Sequence, residues 1–139
     1  MIPRKFASRA TVTALVLCLS LPAQAAQNGL RQEADINNAL LVISVADKIR
    51  RSCDSIGANL FKARSLVNNV KDLAVERGYS EDEIRSYIYD KANRAEMRGM
   101  RNEYFASKGA SNLDAESLCV LGRSEIASNT QIGRLLRQR

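Results

Sequence analysis

The side chains that could do chemistry fall into three groups. They are an acidic run, Glu81-Asp82-Glu83; a basic row, Lys91, Arg94, Arg98 and Arg101; and three cysteines, Cys18, Cys53 and Cys119. Glycoside hydrolysis needs two carboxyl groups facing each other across the scissile bond, one of them with a raised pKa. Three consecutive acids at a helix start offer neither burial nor opposition, and they suit the positive end of the helix dipole instead. Nucleophilic catalysis lacks its usual base, because the chain contains no histidine. A Ser–Lys pair is conceivable, but nothing in the sequence places a lysine beside a particular serine. The seven glycines are scattered, not gathered into a phosphate-binding loop. Two cysteines without histidine make a poor zinc site. The reading is a non-enzyme, with no cofactor and no metal expected.

The basic row is more informative. Spacings of three, four and three place Lys91, Arg94, Arg98 and Arg101 along one helix face, with Lys108 two turns further on. Such a row can address an anionic surface: lipid headgroups, cell-wall polymer or an acidic partner. It can also be a plain solvated face, and Glu96 and Glu103 dilute its charge. The helix lacks the strong apolar face of one that lies in a membrane interface. Arg134, Arg137 and Arg139 at the end of the chain suit a helix C-terminus, where each would contribute about 0.3–1 kcal/mol against the dipole.

Stepping along the chain from its start, "MIPRKFASRATVTALVLCLSLPAQAAQ" carries Arg4, Lys5 and Arg9. An apolar run from Ala10 to Leu21 follows, shorter than the ~20 residues that span a bilayer. Pro22 and the small residues Ala23 and Ala25 complete the pattern of a secretory signal peptide cut after Ala25. A lipoprotein would need a small residue before its cysteine, and Leu17 precedes Cys18. Cleavage removes both prolines and three basic residues, leaving 18 basic against 15 acidic and a net charge of +3 instead of +6. The high calculated pI is then weak support for nucleic acid binding, and none is expected. Residues 26–139 suffice for one domain with a modest core. They contain no stretch apolar enough for a transmembrane segment.

Cys18 leaves with the signal, so Cys53 and Cys119 form an even pair in an oxidising compartment, the periplasm. A bridge between them would stabilise the domain by ~4 kcal/mol in the chain-entropy model.

The elements that position these groups read as helices. Ile36, Leu40, Ile43, Ala46, Ile49 and Cys53 share one face of a first helix starting near Glu33. A second, about Asn59 to Arg77, has Leu60, Ala63, Val67, Val70 and Ala74 on one stripe, with Leu66 and Leu73 beside it and Gly78 at its C-terminus. Ser80 and Glu83 form a capping box for a short third helix, with Ile84, Tyr87 and Ile88 facing inward. Asp90 caps a fourth, to about Ser107, whose apolar residues are Met97, Met100 and Tyr104. Asp114 caps a fifth, with Ala115, Leu118, Cys119, Gly122 and Ile126 on one face. Gly122 would let a neighbouring helix approach closely. Ser128-Asn129-Thr130 interrupts, and Ile132, Leu135 and Leu136 make a last docking turn. The fold class expected is all-α: one small domain of about five helices stapled by one disulfide.

"RGYSEDEI" and "YFASKGASNLDAESLCVLGRSEIASNTQIGRLLR", the latter with Cys119, Gly122, Arg123, Glu125, Ile126, Gly133 and Leu136 in place, resemble a family of small exported alphaproteobacterial proteins of unknown function. The resemblance covers nearly all of residues 26–139 and carries no reaction, ligand or site residue with it. It implies a neighbourhood with the respiratory NADH dehydrogenase, and hence an accessory role at the outer face of that complex as one reading. The leading expectation is a non-catalytic periplasmic accessory or binding protein whose partner is a protein or envelope component. An envelope-stress or chaperone-like protein is the alternative, and a small hydrolase comes last.

Overall fold

The computed structural model describes residues 29–139. The signal peptide expected from the sequence, with Ala23 and Ala25, lies outside the described residues. A helical turn over 29–32 leads into α1 (Ala34–Ser52), β1 (Ile56–Ala58), α2 (Leu60–Glu76), α3 (Glu81–Tyr89), α4 (Lys91–Ser107), α5 (Ala115–Ala127), α6 (Gln131–Arg134) and β2 (Leu136–Gln138). The protein is an all-α domain, and the expected docking turn is the short α6.

The boundaries follow from local chemistry. The Ser80 hydroxyl accepts from the Glu83 N–H at 3.2 Å, and the Glu83 carboxylate accepts from the Ser80 N–H at 2.7 Å. Two orphan donors of α3 are thus satisfied reciprocally. Asp90 accepts from Asn93 N–H at 2.9 Å to start α4, and Asp114 from Glu116 N–H at 3.0 Å to start α5. Gly78 ends α2 with φ +91°, a left-handed conformation that costs glycine little.

Helix α1 is the axis of the domain: α2, α4, α5, α6 and β1 all pack against it. Its C-terminal half joins Phe105, Leu118, Leu121, Ile132, Leu135 and Leu136 in the larger cluster, around Val45, Ile49, Cys53 and Ile56. Its N-terminal half forms a smaller cluster in which Leu30, Ile36, Ala74 and Tyr87 are buried. Cys53 and Cys119 are bridged, with Cα atoms 5.2 Å apart, inside the ordinary range for a disulfide. The bridge pins the end of α1 to the middle of α5.

Several expectations need correction. On α2, Leu60 and Val67 point outward, 77% and 49% exposed; Ala63, Leu66, Val70, Leu73 and Ala74 form the inward stripe. Two apolar stripes compete on this helix, and α1 and α3 together select the one. Ile88 on α3 is largely exposed, leaving Tyr87 as the buried residue there. On α4 the fully buried apolar residue is Phe105; Met97, Met100 and Tyr104 are only half-buried.

The chain also ends as a strand. β2 pairs antiparallel with β1, in the register Ile56↔Gln138, Gly57↔Arg137 and Ala58↔Leu136. Arg137 and Arg139 therefore do not sit at a helix C-terminus. Arg137 donates to the Ala58 carbonyl at 3.2 Å and Arg139 to the Asp54 carbonyl at 3.2 Å, fastening the pair. Arg134, in the last turn of α6, keeps the helix-end position.

Candidate functional site

The basic row lies where α4 crosses α1. Between the two helices runs an open groove of about 390 Å³ with an apolar floor that includes Leu40, Ile43 and Met97. Arg94, Arg98 and Arg101 of α4 and Arg51 of α1 line it. Lys91, the fourth member of the predicted face, is on the exposed first turn of α4 and does not line the groove. Lys108 is further away, with its ammonium 5.6 Å from the centre of the Tyr104 ring.

The α3–α4 corner gives the groove one of its ends. Tyr87 is buried, and its hydroxyl donates to Asn37 of α1 at 2.7 Å. Asn37 in turn donates to the carbonyls of Leu30 and Glu33 at 2.8 and 2.9 Å, which ties the N-terminal turn to α1. Asn93, also buried, donates to the Tyr87 carbonyl at 3.2 Å, and Arg31 bonds both Asn93 and Glu96. Burial pushes the Tyr87 phenol above its usual pKa, so the hydroxyl remains a donor.

Charge in the groove is unbalanced. Asp47 is the single carboxylate lining it among the described residues. Its oxygens already accept from Arg50 at 2.7 Å and from Arg51 at 2.9 Å. Glu96, which the sequence placed among the arginines, is engaged by Arg31. Arg94 and Arg98 are exposed, whereas Arg101 is half-buried, with one amino nitrogen 3.4 Å from the Asn112 side-chain oxygen. The Nε of Arg101 is buried without a hydrogen-bond partner. Burial, and next the nearby Arg98 charge, draw the Arg101 pKa below its usual value. Chemically, the groove can hold an apolar surface flanked by anions; guanidinium forks suit carboxylate or phosphate oxygens.

A second cleft, of about 440 Å³, opens between the end of α4 and α5, lined by Glu125, Thr130, Lys108, Ser124 and Ser128 among others. Glu125 is a buried carboxylate that sequence reading passed over. The Tyr104 hydroxyl donates to one of its oxygens and the Thr130 hydroxyl to the other. Thr130 then accepts from the Gly133 N–H at 3.0 Å, as the N-cap of α6. Burial, reinforced by the Glu125 carboxylate, raises the Tyr104 pKa. This relay joins α4, α5 and α6. No second carboxylate lines the cleft among the described residues, so the facing pair that glycoside hydrolysis uses is not assembled there. The available signal was Glu125 itself, an acid on the apolar side of α5.

In the acidic run Glu81 and Asp82 are exposed and Glu83 is half-buried. Glu81 pairs with Lys71 at 2.9 Å, which lowers its pKa, and the Ser80 N–H lowers that of Glu83. Among the described residues no cluster of three or more His, Cys, Asp or Glu side chains is placed to hold a metal ion. No described helix is long and apolar enough to cross a membrane.

No curated protein and no solved structure matches the chain. A model of a family of unknown function, DUF5333, matches residues 28–137, a span that includes the groove, the disulfide and the Glu125 relay. The chain therefore belongs to the DUF5333 family.

Proposed function

We propose that the protein is a non-catalytic accessory or binding protein of the periplasm, exported by cleavage after Ala25, that engages an anionic partner through the α1–α4 groove. The observation that carries this reading is the arginine-lined groove, whose one carboxylate among the described residues, Asp47, is already shared by Arg50 and Arg51. The disulfide supports an oxidising compartment. The test is enrichment from a periplasmic extract with the tagged protein, at low and at high salt. A defined species retained by the wild type, and lost from Arg94→Glu/Arg98→Glu or at high salt, is the expected result. Recovery of the monomer alone, at every salt concentration, would contradict the reading.

A chaperone-like role is the second reading, and the division of the core favours it. The smaller cluster around Leu30 and Tyr87 is bordered by carboxylate ion pairs, Arg77 with the half-buried Glu33 and the exposed Asp35, and Lys71 with Glu81. Acid would loosen this half while the disulfide holds the other. Suppression of client aggregation near pH 3 would support the role, and a domain that stays rigid and inert there would remove it.

A further inference from the structure

The partner itself can be narrowed. We infer that the α1–α4 groove takes an amphipathic helix of another protein, bearing a row of acidic side chains at helical spacing beside a row of apolar ones. This inference rests on the reading of the groove as an anion-seeking surface. Three features of the groove favour a helix over other anions.

Charge spacing is the first. Arg94, Arg98 and Arg101 recur at intervals of four and three along α4, so their Cα atoms advance about 10 Å along the helix axis. Glu or Asp residues at the same intervals on a docking helix present carboxylates at the same rise, one for each guanidinium. A headgroup, by contrast, concentrates its charge at a point and engages one or two of the three. Shape is the second feature. The groove follows α1 from Leu40 to Arg51, about 16 Å, and it is open along its length. An acyl chain laid there would stay half in water, whereas a third helix needs to bury only one stripe.

The third feature is the floor. Leu40, Ile43 and Met97 give a docking helix apolar anchors, and the thioether of Met97 adapts to branched or aromatic side chains. Arg51 and Arg101 line the same groove, where their guanidinium groups can meet further carboxylates of the incoming helix. The chain's own leader is unsuited to the role, since Arg4, Lys5 and Arg9 are its charged residues.

The test uses the cleaved, oxidised protein and two probes. One is a synthetic helical peptide with Glu at positions i, i+4 and i+7 and Leu on the adjoining row; the other is vesicles of phosphatidylglycerol. Peptide binding should fall by about tenfold or more in Arg94→Glu/Arg98→Glu and weaken with salt. Replacing by Lys the two peptide Glu that face positions 94 and 98, and keeping the third Glu for Arg101, should restore binding to that variant, because those two charge pairs are then exchanged across one interface. Both substituted positions are exposed, and unchanged circular dichroism would show that the variant folds. Arginine-dependent binding to vesicles without peptide binding would overturn the helix and leave the anion-seeking groove standing. A dimer abolished by Arg98→Glu would also overturn it, making a second copy the occupant. Binding of neither probe, with no dimer, would overturn both the helix and the groove.

Discussion

Gly122 of α5 meets Ile49 of α1 at a separation that leaves no room for a side chain. A methyl group on Gly122 would stand 2.6 Å from the Ile49 Cγ2 and 2.5 Å from the Ile56 Cδ1. Ile49 and Ile56 are both fully buried, and the β-branched Ile49 cannot swing aside within its helix. Gly122→Ala should therefore destabilise the domain by about 1–3 kcal/mol through overpacking, despite alanine's better helix propensity. Urea unfolding checks this. An unchanged midpoint would mean that α1 and α5 separate freely.

Cys53 and Cys119 close a loop with a sequence separation of 66. Replacing both by alanine should cost about 4 kcal/mol in the chain-entropy model, a large share of the stability of a domain this size. The intact mass of the native protein, before and after reduction and alkylation, gives the companion measurement. Two alkyl groups added only after reduction are expected.

The Tyr104–Glu125–Thr130 relay predicts that Tyr104→Phe costs about 1.5–3 kcal/mol, the range for a hydrogen bond to a charged group. The carboxylate would keep Thr130 but lose its other donor inside the protein. Thr130→Val should loosen α6 as well, since the same hydroxyl caps it. Hydrogen exchange of the Gly133 amide distinguishes the two: it should rise strongly in Thr130→Val and only modestly in Tyr104→Phe.

Acid should act first on the smaller cluster. Arg77 holds the Asp35 carboxyl below its usual range, Lys71 does the same for Glu81, and the Ser80 N–H for Glu83. Their folded pKa values lie below the unfolded ones. The stability they contribute is thus complete above the unfolded carboxylate value, about 4, and is lost as pH falls through the folded values. Asp35 and Glu81 are exposed and Glu83 is only half-buried, so the loss is gradual. Amide exchange followed from pH 6 to pH 3 should show α3 and the end of α2 losing protection before α5. Simultaneous loss across the domain would mean that the two clusters are not separable.

Much of this fold was legible where local chemistry decides. The Ser80/Glu83 capping box, the Asp90 and Asp114 caps and the Gly78 C-terminus need only neighbours within one turn, and all are present. The all-α class and the Cys53–Cys119 bridge were legible too, as was the close approach at Gly122. The rest depended on distant partners. Leu60 and Val67 repeat at helical spacing as well as Leu66 and Leu73 do, and only the positions of α1 and α3 decide between the two stripes. Phe105 interrupts no pattern, yet it fills the core. The strands β1 and β2 are three residues each and have too little alternation to read. Neither would form alone, and each is held by the other across the fold. At the site, the row Arg94, Arg98 and Arg101 was visible from its spacing, but the groove was not. It exists because α1 supplies Leu40, Ile43 and Arg51 from some fifty residues away in sequence.

The central claim is that this groove is the working surface of the protein. Photo-crosslinking in intact cells tests it most directly, with the reactive side chain placed at Met97 in the groove or at Val67 on the outward face of α2. A discrete adduct is predicted from Met97, absent from Val67, and lost when Arg94 and Arg98 are both changed to Glu. An adduct that forms equally from Val67, or that survives the charge reversal, would contradict the account.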